Sequence, residues 1–118
     1  MRITTLYLIV FGLLGFLTSC AHKNPNPIDL QGAIQRATTP CDHEALVRHY
    51  ESTVRELQSK IKEHKKALES YGSVAFHYGK EGLALQSHSK NLINLYEQAV
   101  KTNMDMANSH RAMAIDHK

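Results

Sequence analysis

No tryptophan, three prolines, six glycines and two cysteines occur in 118 residues, and charge of one sign is scarce. Fourteen Lys and Arg against eleven Asp and Glu leave a formal +3, too slight a balance to imply a nucleic-acid partner. Catalytic signatures are missing as well. The chain carries no CxxC, HxxxH or HExxH spacing, no glycine-rich phosphate loop and no Ser/His/Asp order. About 100 residues follow the apolar start, too few for a deep enclosed active site alongside a large core. These absences speak against an enzyme. One domain is the ceiling for a chain of this length.

Long hydrophobic runs are also lacking, with one exception near the N-terminus. Arg2 supplies a positive charge, and Leu6 to Phe16 is an apolar stretch. It is shorter than the roughly 20 residues that a membrane-spanning helix requires. It ends in Leu17-Thr18-Ser19-Cys20, an aliphatic residue, two small polar ones and a cysteine. This tetrapeptide resembles the lipobox of bacterial lipoprotein precursors, and the likeness covers residues 1–20. The resemblance implies a signal peptide over 1–19, cleavage by signal peptidase II, and a diacylglyceryl group on Cys20. Cys20 would then tie the mature chain to a lipid bilayer. By the sorting pattern of enteric lipoproteins, Ala21 in place of Asp implies the periplasmic face of the outer membrane. The mature part is similar to small helical envelope lipoproteins of Gram-negative bacteria, with no specific family indicated.

Residues 20–39 read as a lipidated cysteine and a flexible tether. Asn24-Pro25-Asn26-Pro27 forbids regular helix, and Ile28 to Arg36 has room for a short, weak one. A coil of this length spans about 25 Å, at about 5–6 Å times the square root of residue number.

Residues 40–118 predict an all-α fold, an antiparallel and coiled-coil-like helical hairpin. Thr39-Pro40-Cys41-Asp42 places a capping hydroxyl before a proline, with an acid at the third helical position. Leu46, Tyr50, Val54, Leu57, Ile61, Leu68 and Tyr71 then recur at helical period, with His64 filling the remaining place, so the first long helix is expected at about 40–71. Glu44/Arg48, Glu51/Arg55 and Glu56/Lys60 are i,i+4 pairs in the favourable order. Gly72, Gly79 and Gly82 mark a link at about 72–82, within which Val74 to Tyr78 has room for a helical turn. The second long helix is expected at about 82–116. Its seam reads Leu85, Ser89, Leu92, Tyr96, Ala99, Asn103, Met106, His110 and Met113, widened by Ile93, Val100, Ala107 and Ala114. Asn103 in such a seam is expected to fix register. A lone hairpin buries one stripe per helix, so self-association into a homo-oligomeric bundle is expected.

The expected role is a membrane-anchored periplasmic structural or interaction module, with an envelope protein as a further partner. The alternative is a copper- or silver-binding lipoprotein. Met106, His110, Met113 and His117 recur along the last turns, and an antiparallel reversal near residue 77 would set Cys41, His43 and His49 opposite them. Such soft and imidazole ligands suit Cu(I) or Ag(I), with Cys41, His43, His110 and Met113 at the centre. Core filling by Met and macrodipole-favoured His compete with that reading. With Cys20 acylated, Cys41 would be a lone thiol, open to an intersubunit disulfide or to ligation. A third reading uses Arg55, Lys60, Lys62, Lys65 and Lys66 on envelope polyanions, against the plainer view that they form a solvated face.

Overall fold

The computed structural model describes residues 28–116, which form three helices: α1 Leu30–Arg36, α2 Pro40–Ser73 and α3 Ala75–Asp116. The last two lie against each other as an antiparallel hairpin, and α1 packs against α2. No described helix is long and apolar enough to cross a membrane.

The start of α2 is fixed by its own side chains. Asp42 N–H donates to Thr39 Oγ1 at 3.2 Å, and Thr39 N–H donates to Asp42 Oδ2 at 2.9 Å, a reciprocal box with Pro40 inside it. The Thr39 hydroxyl also donates to Asp42 Oδ2 at 2.7 Å. These bonds, first that hydroxyl and then the Thr38 and Thr39 N–H groups, hold the Asp42 carboxyl below its ordinary 3.8.

The reversal falls within the expected link at 72–82 and contains the helical turn expected there. Chain direction changes at Val74, the C-cap of α2, and residues 75–78 already form a helical turn. Gly79 then breaks the helix with φ 54° and ψ −128°, a conformation that a Cβ would strain. Gly82 lets that turn lie close: a Cβ there would meet Tyr78 Cβ at 3.0 Å and the Ala75 carbonyl at 3.2 Å.

Helix α1 corrects the expectation of a tether as far as residue 39. Asp29 caps it by accepting from Gly32 N–H at 3.2 Å. Leu30, Ala33 and Ala37 pack on a core of Leu46, Val47, Tyr50 and Ala107. Leu30 and Ala33 share one face at i,i+3, so a seven-residue helix holds by docking rather than by its own propensity. Residues 20–27 lie outside the described part.

The α2 stripe follows the sequence pattern, with His43 and Val47 added to the buried set. The α3 seam follows it except at Met106 and Met113. Ser89, Tyr96, Asn103 and His110 form one row and Leu85, Leu92 and Ala99 are half-buried beside it, but toward the open end Ala107 and Ala114 take the buried places and continue the Ile93 and Val100 row. Ala107 is 0% exposed, whereas Met106 and Met113 are 40% and 42% exposed. Small side chains let α3 approach Leu46 and Tyr50 closely, and the larger methionines stay outside that gap. Asn103 does not reach across to α2. Its Nδ2 donates to the Ala99 carbonyl of its own helix at 2.8 Å, so it sets no register. Two expected surface pairs are also re-sorted: Glu51 accepts from Arg111 of α3, and Lys60 pairs with Glu63 at 3.3 Å.

Packing is uneven along the hairpin. The buried residues of α2 all lie between His43 and Val54, whereas Leu57, Ile61, Leu68 and Tyr71 nearer the reversal are half-buried. Two substitutions separate the observed seam from the expected one. Ala107→Met should destabilise by about 1–3 kcal/mol through overpacking, while Met106→Ala should stay within about 0.5 kcal/mol. Thermal or urea unfolding of both variants reads the difference. The reverse order of effects would return Met106 to the seam.

Candidate functional site

The open end of the hairpin gathers the most chemically distinctive side chains. His43 sits in the first turn of α2, held in place by the capped start of that helix. His110 sits on the α3 seam row that includes Asn103. Their Nδ1 atoms are 3.1 Å apart, one donating and the other accepting. The two rings stack with centroids at 5.4 Å, and Tyr50 stacks on His110 at 5.8 Å with planes 9° apart. His49 meets the Tyr50 ring edge-on at 5.3 Å. His43 is buried and His110 half-buried.

Antiparallel packing thus brings together the two histidines that the sequence set opposite each other. It does not assemble the rest of the soft-ligand set. Met106 and Met113 lie outside the seam, and His117 and Cys20 fall outside the described residues. Cys41 is exposed in the first turn of α2 and is disulfide-bonded. Among the described residues no three His, Cys, Asp or Glu side chains converge as a metal cluster. Two imidazoles fall short of the three or four protein ligands typical of zinc sites. The arrangement is a ring stack with one internal hydrogen bond.

Burial of His110, and then the nearby charge of His43, lower its pKa below the ordinary 6.5. A depressed histidine pKa means that the unfolded chain takes up the proton more readily than the folded one. Stability from this residue is therefore complete above the ordinary value and declines as pH falls through it toward the folded value. Loss of the Asp42 carboxylate, whose pKa is also lowered, belongs to a separate window below 3.8.

Two grooves flank the hairpin. One of about 250 Å³ is lined by Glu44, Val47, Arg48, Arg111, Ala114 and Ile115. The other, of about 350 Å³, lies in the half nearer the reversal, where Ala67, Tyr71, Leu85 and Leu92 supply apolar walls and Glu63, His64, His88 and Ser89 polar ones. The His64 ring lies 5.6 Å from Tyr96, filling the seam place expected of it.

The basic stretch is exposed throughout. Lys65 bridges to Glu97 of α3 at 3.2 Å, and Lys60 is paired within α2. Arg55, Lys62 and Lys66 make no ion pair among the described residues.

No family model matches the chain, and no curated protein or solved structure is significantly similar to it. The His43–His110 pair escaped sequence reasoning as a pair in its own right because both residues read as members of a larger ligand set. The heptad row through Ser89, Tyr96, Asn103 and His110 was the signal that placed His110 in the seam.

The melting temperature should fall between pH 7 and pH 5. His110→Phe, which keeps a ring against Tyr50 but cannot titrate, should shrink that fall. An unchanged pH profile in the variant would show that His110 does not govern stability in this range.

Proposed function

We propose that the chain is a lipid-anchored, non-catalytic helical hairpin of the bacterial envelope that works by assembling with copies of itself or with an envelope protein. The observation that carries the assembly is the uneven packing. The half nearer the reversal leaves Leu57, Ile61 and Leu68 half-buried, and Tyr71, Leu85 and Leu92 half-buried along a groove of about 350 Å³. A second hairpin laid against that groove would cover apolar surface at about 25 cal/mol per Å². Four helices around a shared core are the familiar outcome for hairpins of this length.

The anchor is supported by the lipobox Leu17-Thr18-Ser19-Cys20 behind Arg2 and the apolar Leu6–Phe16 run. Two or more acyl chains hold a protein stably, at about 0.8 kcal/mol per buried CH₂. The outer membrane is the proposed location, on Ala21. Acylation also constrains Cys41. The sequence holds two cysteines, and a thioether at Cys20 excludes a Cys20–Cys41 disulfide within one chain, so Cys41 of an acylated chain could pair only with another molecule. Intact mass under non-reducing conditions separates these states. Loss of residues 1–19 and the added mass of a diacylglyceryl group are expected, and Cys20→Ala should leave the precursor unprocessed. A wild-type chain with Cys20 unmodified or disulfide-bonded overturns the anchor.

Copper or silver binding stays the second reading, supported by the convergence of His43 and His110 alone. Sedimentation in detergent tests the assembly. A dimer or larger species is expected at micromolar concentration, and Leu92→Asp should dissociate it while circular dichroism stays helical, because Leu92 lines the groove and is only half-buried. A wild-type monomer overturns self-association.

A further inference from the structure

Helix α3 carries a third row, apolar throughout, beside the two that meet α2. Leu85, Leu92, Ala99, Met106 and Met113 recur at every seventh residue. Leu85, Leu92 and Ala99 are half-buried, and Met106 and Met113 stay 40% and 42% exposed. Leu95, on the outer flank of the row, is 59% exposed. A repeat of seven is the spacing by which one helix keeps facing another along its length. Helix α1 does not supply that second helix, because it packs on α2. The row starts in the groove near the reversal and runs about 42 Å to the open end.

The face around this row is nearly free of charge. Between residues 84 and 113, the positions one before and three after each row member complete that face. Asp105 is the only Asp, Glu, Lys or Arg among them, and Lys101 pairs with it at 2.7 Å. The basic stretch stands elsewhere. Lys65 bridges to Glu97, which lies two residues before Ala99 and so on the far side of α3. Arg55 and Lys62 stand on the same side of α2 as Lys65.

We infer that this row is the seam between two copies of the chain, α3 against α3. The inference rests on the self-association proposed above and names the surface that forms it. Side-chain size along the row is symmetric about Ala99, with two large residues on either side. One copy therefore complements another across a two-fold axis near that alanine. The face brings almost no charge to repel its like, and depletion of charge with enrichment of Met is the composition of interface cores. A strip about 42 Å by 12 Å covers about 500 Å² per copy, or about 1,000 Å² in total, which reaches the area of a specific interface. A bilayer surface fits less well, because helices that lie on lipid carry Lys and Arg along their polar flanks. Met106 and Met113 serve association rather than the fold of one hairpin, so unfolding of the dilute chain stays insensitive to Met106.

Met113→Glu in the full chain separates this seam from the groove alone. Met113 lies 21 residues beyond Leu92, about 32 Å along α3. Sedimentation in detergent should show the dimer dissociation constant raised at least about tenfold, with helicity unchanged. Asn94→Glu, on the far side of α3, should leave that constant within about twofold. Under mild oxidation Ala99→Cys should form a disulfide between the two copies at position 99, located by peptide mapping, and Asn94→Cys should not. A wild-type dimer that Met113→Glu does not weaken, or that Asn94→Cys bridges as readily as Ala99→Cys, overturns the seam and leaves self-association standing. A wild-type monomer overturns both and assigns the row to an unlike partner.

Discussion

Everything in this molecule depends on how closely α3 can approach α2 at the open end. Ala107 and Ala114 are the small buried residues that allow it; Ala107 packs with Leu46, Val47 and Tyr50, and both Leu46 and Ala107 are removed entirely from solvent. Close approach seats α1 through Leu30 and Ala33, and it brings His43 within hydrogen-bond reach of His110. The short cap of α2 contributes by fixing where that helix starts, and therefore the height at which His43 meets its counterpart. Nearer the reversal the same two helices carry larger apolar residues that they only half cover. That half is where other molecules have something to gain by binding.

A gradient of this kind gives a small chain a division of labour. Two helices bury one stripe each, which is marginal for independent stability. Concentrating the tight contacts at one end holds the hairpin together there and leaves the rest free to serve an assembly. Surface ion pairs add little to this balance. The Lys65–Glu97 and Lys101–Asp105 pairs are largely exposed, and such pairs contribute about 0–1 kcal/mol each.

Much of the fold was legible because its determinants are local. Thr39, Pro40 and Asp42 announce the start of α2, and the 3.6 period from Leu46 to Tyr71 announces its buried face. The three clustered glycines announce the reversal, where the helix breaks at Val74 and again at Gly79. The α3 seam was less legible because hydrophobicity misranks it. Met106 and Met113 outweigh Ala107 and Ala114 on apolar scales, yet interhelical distance is set by size, and the small row wins where the helices are closest. Docking of α1 was illegible for a different reason: its few apolar residues gain their value only from a surface built by residues distant in sequence.

The central claim is that stability is concentrated at the open end and that the half nearer the reversal depends on assembly. Amide hydrogen exchange, followed residue by residue at low and high protein concentration, tests it most directly. The strongest protection is expected at 43–54 and 103–114 at every concentration, with 57–71 and 82–96 exchanging faster in the dilute chain and slowing as it assembles. Equal protection along both helices in the dilute chain, or greatest protection beside the reversal, would contradict the account.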